Sequence, residues 1–154
     1  KTLTETNMTA VPFAGSGAAL PALLSGDVDV SFENMPAVLS HIRSGDLRAL
    51  AVTSAERSEY LPDVPTLSEI GEYNLDQFIT TAWFGLIAHS SFPEEAQSTM
   101  REALANVMER EEFLDFAEQL GAEPGQVAGD EFKQFIADDL QRWEEVAEQA
   151  GISQ

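Results

Sequence analysis

Two short turns carry residue types that can hold a small anion. Gly15-Ser16-Gly17 follows the apolar stretch Thr9-Ala10-Val11-Pro12-Phe13 and precedes a leucine-bearing helical pattern. Small residues at a strand-to-helix turn expose backbone N–H groups at a helix N-terminus, where negative charge is favoured without any basic side chain. A tight turn that needs glycine accounts for the same spacing. Phe32-Glu33-Asn34-Met35-Pro36 has the same placement, after the alternating Val28-Asp29-Val30-Ser31-Phe32 and ahead of a second helix. Asn34 can donate to a carboxylate or cap the helix, and Glu33 can accept from a ligand amine or sit in water. In open α/β sheets ligands collect at the carboxyl ends of strands, so two such turns on neighbouring strands can face one crevice.

Catalysis has less to work with. Ala14 and Ala18 flank Gly15-Ser16-Gly17, so the G-x-S-x-G nucleophile elbow is not formed, and no G-x-G-x-x-G dinucleotide fingerprint is present. His41 and His89 are the only histidines, and neither shares a helix face with a carboxylate at metal-ligand spacing. With no cysteine there is no thiolate nucleophile and no cysteine-ligated zinc, and the redox compartment stays open. No cofactor is implied. A hydrolase built on Ser16 and a histidine is the weakest of three readings, and binding fits the residues better than catalysis.

The elements that position these turns alternate. Leu20, Leu23 and Leu24 put one apolar face on the helix after Gly17, and Gly26 stands where a helix C-terminus wants a left-handed residue. Pro36 suits a first helical turn, with Val38, Leu39 and Ile42 as its apolar stripe and Gly45 at its end. Leu47-Arg48-Ala49-Leu50-Ala51-Val52 follows as a third strand. Ser25-Gly26-Asp27 and Ser44-Gly45-Asp46 echo each other 19 residues apart, each closing a helix and launching a strand. The pattern predicts a parallel βαβαβ unit with right-handed crossovers. After a proline-punctuated loop, Thr66-Leu67-Ser68-Glu69 reads as a capping box opening a short helix that stops at Gly71. Residues 78–88, with Trp83, Phe84, Leu86 and Ile87, form a β-rich run long enough to bridge two sheets. The remainder is helical. One helix opens at Pro93-Glu94-Glu95, a second holds Phe113, Leu114, Ala117 and Leu120 before Gly121, and a third starts near Asp130. Phe132, Phe135, Ile136, Leu140, Trp143 and Val146 on that third helix are expected in the core.

Length and charge set the outer limits. The 154 residues are 44% hydrophobic, enough for one ordinary domain and too apolar for a disordered tail. No apolar run approaches the roughly 20 residues that cross a bilayer. With 27 acidic against 8 basic side chains, a net charge of -19, nucleic acid and anionic lipid are poor partners. Solubility and self-repulsion account for the acidity, and life at high salt would produce the same balance. Lys1 opens the chain without Met, basic n-region or apolar h-region, as in a sequence that begins partway through a longer protein.

Taken in order, these segments resemble one family. Val11-Pro12-Phe13-Ala14-Gly15-Ser16-Gly17-Ala18-Ala19-Leu20 is similar to the V-P-Y-K-G-S-x-x-A-L segment of the tripartite tricarboxylate transporter receptors, the Bug family of solute-binding proteins. Asp29-Val30-Ser31-Phe32-Glu33-Asn34-Met35-Pro36 resembles its D-V-x-F-D-N-x-P, and Gly45-Asp46-Leu47-Arg48-Ala49-Leu50-Ala51-Val52-Thr53 its G-K-L-R-A-L-A-V-T. Leu61-Pro62-Asp63-Val64-Pro65-Thr66 is similar to L-P-D-V-P-T, and Ala82-Trp83-Phe84-Gly85-Leu86 to S-W-F-G-L. Gly121-Ala122-Glu123-Pro124 also matches a family position before the final helix. Ala14 stands at the common Lys, Glu33 at the usual Asp and Ala82 at the common Ser or Thr.

The resemblance implies a type II periplasmic-binding-protein-like α/β fold: a parallel βαβαβ unit plus a helical C-terminal part, as a fragment of a two-lobe structure. Residues 1–79 would be the latter part of the second ligand-binding lobe, and 80–154 the hinge strand and C-terminal helical part of the first. Matched position by position, it implicates Gly15, Ser16, Phe32, Glu33 and Asn34 as ligand contacts, with Trp83 and Phe84 lining the hinge. It implies a periplasmic receptor, not an enzyme, whose signal peptide is not present in this chain. The receptor would capture a small di- or tricarboxylate, or a related acid, for the membrane subunits of a tripartite transporter. The alternative from another class is a ligand-sensing effector domain of a regulatory or signalling protein. Open sheet edges in such a fragment lead us to expect a homodimer or a swapped assembly.

Overall fold

A computed structural model describes residues 6–71, 75, 78–125 and 127–151, so Lys1 lies outside the described residues. Its helices are α1 (Ser16–Ser25), α2 (Met35–Ser44), α3 (Glu94–Met108), α4 (Glu111–Leu120) and α5 (Gly129–Gln149). Each begins and ends where local chemistry demands. Gly15 and Asn34 stand just ahead of α1 and α2, and Pro36 occupies the first turn of α2. Glu94 and Glu95 open α3, where acids complement the positive end of the helix dipole.

The Ser-Gly-Asp echo is one cap built twice. Gly26 and Gly45 take left-handed φ values of 80° and 86°, which glycine adopts without a Cβ penalty. The following chain then bonds back to the helix at equivalent positions, Val28 N to Ala22 O at 3.3 Å and Leu47 N to His41 O at 3.0 Å, and α1 adds Asp27 N to Ala22 O at 2.9 Å. Ser25 Oγ donates to Asp27 at 2.8 Å, and Ser44 Oγ to Asp46 at 2.7 Å, tying each cap to the segment that leaves it. The Ser44 hydroxyl, and after it His41, hold the Asp46 carboxyl below its ordinary range.

The strand segments depart from expectation. Among the described residues, 9–13, 28–32, 47–51 and 78–88 form no β-ladder. The pairing present is a parallel bridge between Val52 and Thr66, made by Val52 N to Pro65 O (2.9 Å) and Leu67 N to Val52 O (3.0 Å). A strand's amides and carbonyls are satisfied only by a neighbour about 4.8 Å away. Here Val30, Phe32, Leu50, Phe84, Leu86 and Ile87 instead present apolar side chains to solvent. The order segment–helix–segment–helix–segment is kept, but the predicted segments do not pair with one another; the parallel bridge joins Val52, at the end of the third, to Thr66 beyond them.

The core is correspondingly small. Leu39 is 1% exposed where α2 packs on α4, whose Ala117 is buried too, and Val38 on α2 and Ala19 on α1 are also buried. The chain exposes 12241 Å², whereas a compact monomer of 16.8 kDa exposes about 7,700 Å². That excess corrects the expectation for α5: Phe135, Leu140, Trp143 and Val146 are exposed rather than core. Helical spacing aligned them into a stripe, but a stripe is buried only where another layer lies on it.

The loop after Val52 is closed by one ion pair. Thr66, 2% exposed, caps the short 3₁₀ turn Leu67–Glu69, and Glu69 reciprocates to the Thr66 backbone, so the predicted capping box is formed. Arg57 Nε donates to both Glu69 oxygens at 2.9 and 3.0 Å, and its Nη1 donates to the Pro62 carbonyl at 3.0 Å. The Arg57 guanidinium, with help from Thr66, holds the Glu69 carboxyl at about 2. A depressed carboxylate stabilises the fold above its unfolded value, and that contribution fades as pH falls toward the folded one. Glu69→Gln is therefore expected to melt below wild type at pH 7, the gap closing between about pH 4.5 and 2. A gap that stays constant in melting curves across that range would refute the assignment.

Candidate functional site

Five of the seven predicted site residues share one surface. Phe32, Glu33, Asn34, Trp83 and Phe84 line an open concavity of about 2960 Å³, while Gly15 and Ser16 lie off it. Small-molecule pockets enclose roughly 300–1,000 Å³, so this open surface is not a closed ligand pocket. Phe32 and Phe84 are 76% and 80% exposed, aromatic faces without a covering layer.

Asn34 precedes α2 in an extended conformation, its side chain makes no capping bond, and its carbonyl accepts from Ala37 N at 2.9 Å. Pro36 carries no N–H and the Ala37 N–H is taken, so the Asn34 side-chain amide is a donor this turn leaves available. Glu33 is half-buried and accepts from Ser31 Oγ at 2.7 Å, which turns its carboxylate back along its own segment. Gly15 and Ser16 make the corresponding start of α1, with Gly15 O accepting from Ala18 N and Ala19 N at 3.0 and 3.1 Å.

The other side of the concavity is the 78–88 segment. Thr53 and Thr80 fasten its start, Thr80 N to Thr53 O at 2.9 Å and Thr53 Oγ1 to Thr80 O at 2.7 Å. Trp83 packs edge-on against Phe132 and Phe135, both at 5.5 Å between centroids, and its Nε1 donates to Asp139 Oδ2 at 3.0 Å. The Trp83 N–H, and then Arg142, hold the Asp139 carboxyl below its ordinary range against the opposing effect of burial. Asp139 and Arg142 were not singled out from sequence. Their signal was an acid interrupting the apolar stripe of α5, at the spacing of Phe132 and Phe135.

Among the described residues no group of three or more His, Asp or Glu side chains can hold a metal ion. His41 pairs with Asp46 at 3.5 Å, and His89 Nδ1 lies 2.8 Å from Ser91 Oγ. Nor is any described helix long and apolar enough to cross a membrane.

Five helices with a crossing segment between them, open on one side, match half of a two-lobe, periplasmic-binding-protein-like fold. The comparison with solved structures gives that class directly. R. palustris Rpa4515 with adipate superposes with a TM-score of 0.88 at 32% identity, over 99% of this chain and 50% of that one. The periplasmic binding protein BugD superposes at 0.87 and 27% identity, over 96% and 49%. The chain belongs to the tripartite tricarboxylate transporter family receptors, whose profile matches residues 1–152. Protein BugT of Bordetella pertussis is 37% identical over 141 residues, 92% of this chain and 42% of that protein. A UPF0065 protein from the TAR-I ttuE-ttuC' intergenic region of Agrobacterium vitis is 31% identical over 119 residues, 77% and 34% of the two chains. The chain thus spans less than half the length of these curated relatives.

Proposed function

We propose that this chain supplies one wall of the cleft of a periplasmic solute receptor that binds a small carboxylate and hands it to a membrane transporter. The observation that carries the reading is the N-terminus of α2, where Asn34 leaves its side chain free of any capping bond and Phe32, highly exposed, precedes it on the same open face that Trp83 and Phe84 also line. Backbone amides and the Asn34 amide hold an anion without cationic side chains, which suits a chain with 8 basic residues. Gly15 and Ser16 offer a second set of first-turn amides at α1. The relative solved with adipate supports a dicarboxylate as the first ligand to try. In this reading 1–79 belongs to the second lobe and 80–154 returns to the first, with the exposed apolar face covered by the rest of the two-lobe fold. No catalytic step is involved.

The test is a melting curve of the full-length, two-lobe receptor with adipate, citrate and acetate. A ligand at about 100 times its Kd adds about 2.7 kcal/mol to the folded state, so adipate or citrate should raise Tm by several degrees. Asn34→Asp keeps a good N-cap residue but places a negative charge where the anion would sit, and it is expected to abolish the shift without lowering the unliganded Tm. No shift across the panel in wild type would overturn the reading.

A further inference from the structure

An acid stands in the aromatic stripe of α5. Asp139 accepts on both oxygens, from Trp83 Nε1 at 3.0 Å and from Arg142 Nη2 at 2.7 Å. Arg142 Nη1 donates in turn to the Ile79 carbonyl at 3.2 Å. One turn of α5 thus grips the crossing segment twice, by main chain at 79 and by side chain at 83. Phe132 and Phe135, stacked at 6.2 Å, supply the two edge-on contacts that set the tilt of the indole. Charge-assisted hydrogen bonds are stronger than neutral ones and more demanding in geometry, so this grip selects one indole orientation. Both Asp139 oxygens are engaged by N–H donors, which compensates its charge beside a cleft that must accept an anion.

We infer that Asp139, together with Arg142, is a positioning residue for ligand recognition: it fixes the Trp83 indole and segment 79–83 as one wall of the cleft. The inference rests on the carboxylate reading above and gives Asp139 no contact with the ligand. Trp143 lies under the Arg142 guanidinium at 5.3 Å and is itself within reach of the Asp139 carboxylate.

The experiment uses Trp143→Phe, which leaves Trp83 the only tryptophan, with Asp139→Ala and Asp139→Asn added singly. Hydrogen exchange of the indole N–H is followed by NMR and adipate binding by calorimetry. In Asp139→Ala the indole N–H should exchange at least about tenfold faster, and adipate affinity should fall about tenfold. Asp139→Asn keeps an acceptor for the indole and should restore most of both. Lost protection with unchanged adipate affinity overturns the inference and leaves the carboxylate reading standing, as does unchanged protection in Asp139→Ala. A parent chain that binds neither adipate nor citrate overturns both together. Should Asp139→Ala fail to fold, Arg142→Gln at an exposed side chain decides: faster exchange with weaker binding supports the grip, and no change in either overturns it.

Discussion

Leu39→Ala is expected to destabilise the chain by about 2–5 kcal/mol, the range for emptying a fully buried leucine site. Leu39 is 1% exposed and lies where α2 meets the end of α4. The fit is close: a methyl group built on Gly121 would come within 2.9 Å of Leu39 Cδ2 and 2.7 Å of Met35 Cγ. With so few other buried side chains, collapse around the cavity has little to draw on. Urea unfolding should show a lower midpoint with an unchanged slope. Leu140→Ala is the control, the same deletion on a side chain 60% exposed, and should change stability by no more than about 0.5 kcal/mol. Equal effects at the two positions would mean that the α2–α4 contact is not the core.

The second large effect is expected at Gly85. A Cβ there would collide with the Phe132 ring, with Cε1 at 2.9 Å and Cζ nearer still. That ring cannot swing away freely, because it is held edge-on to Trp83 and stacked on Phe135. Gly85→Ala should therefore cost about 1–3 kcal/mol, as overpacking does, and should shift the emission of Trp83. In the Phe132→Ala background the clash is gone, so the same change should become close to neutral. Additive losses in that double-mutant cycle would show that Gly85 and Phe132 do not touch.

Helix limits were legible because capping is local. Pro93, the acids after it, Gly26, Gly45 and Gly121 act within a turn of their own positions, and the repeated Ser-Gly-Asp caps are set by five or six consecutive residues. The Thr66–Glu69 capping box was legible for the same reason. Strand segments were legible as segments but not as a sheet, since a ladder depends on what lies alongside. The candidate residues before α1 and α2 were legible as turns, and family resemblance alone added Trp83 and Phe84 to the candidates.

What the sequence determined by itself is thus the order of helices and turns, the starts of α1 and α2 behind Gly15 and Asn34, and membership of a receptor family. Tertiary structure alone decided which of these meet. It left Gly15 and Ser16 off the concavity and bared the α5 stripe that helical spacing marked for burial. It also joined Trp83 to Asp139 across 56 residues and Thr53 to Thr80 across 27. Contacts at such separations obey no periodicity, because burial and pairing belong to two surfaces at once and each segment encodes only its own.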